Sequence, residues 1–171
     1  MQRQYEGATP RIADEAFVSE MAYAIGDVEV GSRSSIWPFV CLRGDGSPVT
    51  VGEETNVQEF TMLHGATLGD EVTVGHGAVV DYAEVHDHSL VGMGSAVMGG
   101  ATVESNCIVA ANAVVRQGQR IPEGHMAYGV PAETRPLGDE QVAQIGVTHE
   151  NYVELSAKYR GTPAEANRNG D

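Results

Sequence analysis

Lysine is almost missing from this chain: Lys158 stands alone beside nine arginines, against 24 aspartates and glutamates, for a formal net charge of −14. A body so acidic is repelled by nucleic-acid phosphates and anionic membrane surfaces, so neither is expected as a partner. The acid excess reads first as a solvated surface. Its sharper form is adaptation to high salt, where clustered carboxylates are screened, and it predicts a thermal midpoint that rises with salt. Cysteine is scarce too. Cys41 and Cys107 are too few and too far apart for a disulfide framework or a zinc knuckle, and both are expected as buried small hydrophobes. Aromatic residues make up only 6%, so large rings cannot fill the core. Nothing approaches the roughly 20 apolar residues that span a bilayer, and the opening MQRQYEGATP lacks the apolar stretch of a signal peptide. A soluble cytoplasmic protein with one folded body is the expectation.

Glycine, by contrast, is abundant at 21 residues, and aliphatic residues recur with a fixed period. Val57, Leu63, Leu68, Val74, Val80, Val85, Val91, Val97, Val103, Val109, Val115 and Ile121 follow one another at six-residue steps, two of which shorten to five. Small residues such as Ala78, Ser95, Ala101 and Ala113 hold the fifth position of many repeats. A period of six fits neither an amphipathic helix nor a half-exposed strand. Three hexads per turn do fit, each a short strand and a bend with its aliphatic residue pointing into a triangular prism. The expected fold is therefore all-β, a parallel β-helix of roughly seven coils of ~18 residues over 1–132. Beyond Pro131 the period changes. Val142, Ile145, Tyr152, Leu155 and Tyr159 fall at helical steps, predicting that 133–171 holds a helix packed on the prism and a mobile polar tail from Gly161.

Register places the chemistry. Asp81 follows His64 by 17 residues across one five-residue step, so the two stack on successive coils, about 4.8 Å apart. His76 lies on another hexad and points around a corner, positioned to meet them only if three prisms pack side by side. Two imidazoles and a carboxylate around an open position suit a catalytic zinc or a related divalent ion such as iron or cobalt. His86 and His88, two apart, would share one side of a strand if the strand continued there, and read as solvated or interface residues, His86 being the better spare ligand. Arg43 and Asp45 read as a structural ion pair at a subunit interface. In Asn56-Val57-Gln58-Glu59, Gln58 is placed to hydrogen-bond a water near the metal, with Asn56 and Glu59 as companion candidates.

These residues carry a resemblance. Leu-Arg-Gly-Asp at 42–45, Thr-Asn-Val-Gln-Glu at 55–59, Leu-His at 63–64, Val-Gly-His-Gly-Ala at 74–78, Val-Gly-Met-Gly-Ser at 91–95 and Tyr-Gly-Val-Pro-Ala at 128–132 resemble, in this order, the gamma-class carbonic anhydrase family. The resemblance implies a left-handed β-helix, a homotrimer, and a metal between subunits that turns water into the hydroxide attacking carbon dioxide. His64 and His76 match two of the family's three ligand histidines, and Asp81 stands where the third is expected. An anionic ligand lowers the effective charge on the metal and weakens its acidification of water. The archetypal member also has a glutamate directly after the aspartate of the Arg-x-Asp motif, part of its proton relay. This chain has Gly46 there, which leaves Glu59 or His88 as substitutes. Three functions compete: a metal-dependent carbonic anhydrase, an acyl-CoA transferase binding coenzyme A between prisms, and a trimeric scaffold with a degraded site.

Overall fold

The structure is a computed structural model that describes residues 1–161, so all but the first residue of the expected polar tail lies outside the described residues. The chain winds as a parallel β-helix of three faces, each a column of mostly two-residue strands. The first face runs from the start of Cys41–Val51 through Met62–His64, Val79–Asp81 and Ala96–Val97 to Val114–Val115. The second runs from the end of the same long strand through Thr67–Leu68, Glu84–Val85 and Thr102–Val103 to Arg120–Ile121. The third stacks Phe17–Val18, Ser35–Ile36, Asn56–Val57, Thr73–Val74, Leu90–Val91, Ile108–Val109 and His125–Tyr128, and an antiparallel strand, Glu133–Pro136, closes it.

A two-residue strand points one side chain in and one out, because successive Cβ atoms leave opposite sides of a pleated strand. The inward residues are the periodic aliphatics, from Val57 and Leu63 to Val115 and Ile121, at most 1% exposed. The outward residues differ by face. On the first they are Tyr23, Cys41, Met62, Val79, Ala96 and Val114; on the second Glu29, Thr50, Thr67, Glu84, Thr102 and Arg120. Cys41 is thus half-buried on an outer column, not buried as expected, while Cys107 is buried. Inside the corner between the second and third faces a column of hydroxyls satisfies the bending backbone. Ser34 Oγ donates to the Gly52 carbonyl and accepts the Thr55 N–H, and Thr55 Oγ1 repeats the arrangement one coil on with Gly69 and Val72.

The helix Asp139–Arg160 lies over the third face. Its Gln141 side chain accepts the Gly138 N–H, and its acidic first turn and basic last turn complement the helix dipole. Trp37 anchors it, with ring centroids 5.6 Å from Tyr152, 5.1 Å from Tyr159 and 5.2 Å from Phe17. The face turned inward is in part the one the apolar spacing indicated, since Ile145 is buried and Tyr152 and Tyr159 pack on Trp37. Ile145, His149 and Ser156 are its buried residues, whereas Val142, Leu155 and Tyr159 stay largely exposed. The aromatic cluster sets the rotation of the helix about its axis and turns His149 toward the prism.

Candidate metal centre

Ladder pairing sets Arg43 beside His64 and His64 beside Asp81, so three residues stack up the corner between the first and second faces. His64 Nδ1 lies 2.8 Å from Asp81 Oδ1. An ionised carboxylate only accepts, so Nδ1–H donates to Asp81 and the lone pair resides on Nε2. Two groups face Nε2: the Tyr82 hydroxyl, which donates from 3.2 Å, and Asp45 Oδ1 at 3.7 Å. Asp45 Oδ2 accepts Arg43 Nε at 2.9 Å, whereas Oδ1 is buried without a hydrogen-bond partner. The Arg43 hydrogen bond holds the Asp45 carboxyl below the usual carboxylate range, against the opposing effect of its desolvation. A buried anionic oxygen and an imidazole lone pair therefore face each other across a gap that a cation bonded at about 2.0–2.2 Å to each would span. The donor set fits a divalent ion.

Sequence reasoning missed two of these neighbours. It read Arg43 and Asp45 as an ion pair at an interface; the pair closes within one chain and aims the second Asp45 oxygen at His64. It gave Tyr82 no role. A Cβ at Gly46 would lie 2.7 Å from the Tyr82 hydroxyl, so the absence of the glutamate expected there goes with a tyrosine filling its space.

His76 sits at the opposite edge of the first face, on the corner shared with the third. Its Nδ1–H donates to Glu59 Oε2 at 2.7 Å, the carboxylate–imidazole pairing that orients a ligand histidine and leaves Nε2 as acceptor. Gln58 stands on this corner and so accompanies His76, not His64. Buried, it donates through Nε2 to Asn56 Oδ1 at 3.1 Å, and Asn56 Nδ2 donates to Thr73 Oγ1 at 2.8 Å. Gln58, Thr73, His76 and Tyr152 line part of a cavity of about 370 Å³ between the prism and the helix. Of the two further histidines singled out in the sequence, His86 is solvated as expected, whereas His88 is partly buried. No strand covers 86–88; His86 is exposed beside Glu84, and His88 bonds Asn106 through Nδ1 at 2.9 Å and packs near the helix residue His149. On the corner between the second and third faces, His88 is remote from the edge that carries His64 and Asp81.

Comparison with known proteins bears on the fold and the family. Residues 82–117 match the family described as bacterial transferase hexapeptide (six repeats). The chain is 40% identical over 168 residues, 91% of its length, to gamma carbonic anhydrase 1, mitochondrial, of Arabidopsis thaliana, and spans 61% of that protein. It is 34% identical to protein YrdA of Escherichia coli across 92% of each chain. A hexapeptide transferase family protein from Anaplasma phagocytophilum superposes with a TM-score of 0.91 at 35% identity, covering 92% of this chain and 97% of that one. Ordered motifs, solenoid and similarity over about nine-tenths of its length together place this chain in the gamma-class carbonic anhydrase family.

Proposed function

We propose that the chain hydrates carbon dioxide reversibly to bicarbonate as a homotrimer, with a divalent cation held between subunits by His64 and Asp81 of one copy and His76 of the next, Asp81 turning from His64 Nδ1 to the cation beside Nε2. The observation that carries this reading is the placement of the donors at the two edges of one face. His64, Asp45 and Asp81 stand at one edge and His76 with Glu59 at the other, and the column between them is apolar. Val79, 40% exposed, and the stacked pair Phe39 and Phe60, the latter 67% exposed, extend that surface at the His76 corner. A contiguous apolar patch of this kind marks an interface. Another copy covering it brings the His76 edge of one prism to the His64 edge of its neighbour.

A zinc ion, or iron or cobalt, at such donors acidifies water toward attack on carbon dioxide. The chain's own groups do the rest. Glu59 holds the His76 tautomer, Gln58, fixed by Asn56, orients water beside it, and the Glu59 carboxylate accepts the exported proton. Arg43 keeps Asp45 ionised and pointed at His64. Metal analysis of the purified protein with stopped-flow carbon dioxide hydration tests the proposal. A trimer with metal and metal-dependent turnover supports it; a metal-loaded trimer with none overturns it. The hydroxyl of Tyr82 on Nε2 favours a second reading, a silent trimeric scaffold of the same family. In that case the trimer forms, binds no metal at His64 and hydrates nothing.

A further inference from the structure

The corner between the second and third faces carries a second group of metal-ligating side chains, apart from those around His64 and His76. Each turn there needs one residue in the left-handed backbone region, and the chain supplies Arg33, Glu54, Glu71, His88 and Asn106 at φ of 55°, 50°, 57°, 52° and 58°. The same backbone conformation on successive coils stacks Glu54 and Glu71 about one rung apart, like charge on like. His149 descends on them from the helix. One donor atom each from Glu54, Glu71 and His149 lies within 4.8 Å of the other two, and none of these residues is exposed.

We propose that Glu54, Glu71 and His149 bind a divalent cation that pins the C-terminal helix to the prism. The imidazole is the strongest indication. His149 is only 7% exposed, yet Nδ1 is buried without a hydrogen-bond partner and Nε2 makes only a long contact, 3.4 Å, to Glu54 Oε2. A buried imidazole with so much bonding capacity unused is costly unless another ligand engages it. Arg33 pairs with Glu54 Oε1, which leaves Oε2 as the oxygen turned to His149. Water and ions reach the group through a cavity of about 230 Å³ lined by Arg33, Glu54, His149, Glu150, Val153 and Glu154. Glu150 and Glu154 add negative potential at its mouth. One nitrogen and two carboxylates suit zinc, manganese or iron. Bonds of about 2.0–2.2 Å require the three side chains to close by on the order of an ångström, within reach of glutamate rotamers.

The site differs from the interfacial one in needing a single chain and joining two elements of it. Equilibrium dialysis of the chelator-stripped protein against Zn²⁺ tests it, comparing wild type, His149→Gln, Glu71→Gln and His76→Ala. The aromatic cluster around Trp37 holds the helix without His149, so these variants fold. We expect His149→Gln and Glu71→Gln each to bind one Zn²⁺ per chain fewer than wild type, or that ion at least about tenfold more weakly. His76→Ala should keep the ion that His149→Gln loses. Amide exchange over 139–160 should slow on adding Zn²⁺ to wild type and His76→Ala but not to His149→Gln. Equal Zn²⁺ binding by wild type, His149→Gln and Glu71→Gln overturns the proposal, as does helix exchange indifferent to Zn²⁺. Failure of the interfacial site leaves a separate signature: His76→Ala then binds as wild type does, while His149→Gln binds nothing.

Discussion

At His64 the two nitrogens face different acids, and this division governs what substitution should do. Asp81 takes Nδ1 and Asp45 faces Nε2. Asp81→His replaces an anionic donor by a neutral one, so bound water is acidified more strongly and the hydration rate should rise at least about tenfold, read by stopped flow. If Asp45 supplies the oxygen beside Nε2, Asp45→Asn weakens metal binding more than Asp81→Asn does. Asp45 also makes stability depend on pH. Its carboxyl is held low by Arg43, so its contribution is complete above the ordinary aspartate value near 4 and disappears as pH falls through the lower folded value. The gap in thermal midpoint between wild type and Asp45→Asn should therefore be constant near neutrality and narrow below about pH 4. That His64 and Asp81 share an edge was legible in a spacing of 17 residues. The direction of Asp45 Oδ1 was not, because it depends on the excursion at 45–48, where the long strand Cys41–Val51 crosses from one face to the next and the neighbouring ladder slips register between Gly26 and Val28.

Among elements, the helix depends most on a few side chains. Trp37 is 3% exposed and touches Phe17, Tyr152 and Tyr159, and its Nε1–H donates to Ser35 Oγ. Trp37→Ala should destabilise the chain by about 3–5 kcal/mol and Ile145→Ala by about 2–5 kcal/mol, measured by denaturant unfolding. Val142→Ala, at an exposed site, should cost under about 0.5 kcal/mol. Spacing alone gave the helix its place in the chain, since a change of period from six to 3.6 is visible without coordinates. It gave the face only in part, finding Ile145, Tyr152 and Tyr159 but not His149 or Ser156, because an amphipathic stripe as weak as this one leaves rotation to whichever side chains dock best, here the rings around Trp37.

For the whole molecule the decisive contrast is between two outer columns. Tyr23, Cys41, Met62, Val79, Ala96 and Val114 make one face apolar, while Glu29, Glu84 and Arg120 make another polar. Val79→Glu puts a charge at the centre of the apolar face and should convert the proposed trimer to monomer in light scattering, with metal at His64 lost and the single-chain site at His149 retained. The acid excess predicts that added salt raises the thermal midpoint of wild type; a flat response rejects salt adaptation.

The coil count, the inward aliphatic column, the rung shared by His64 and Asp81 and the terminal helix all follow from periodicity, since a repeat fixes which residues face in and which coils stack. Tertiary structure alone decided what lies across a corner or beneath the helix: Asp45 turned to His64, Tyr82 in the space beside Gly46, and His149 over Glu54 and Glu71. Those contacts join residues related by no period. Their geometry comes from loop excursions and helix rotation, settled by the best packing of the whole chain.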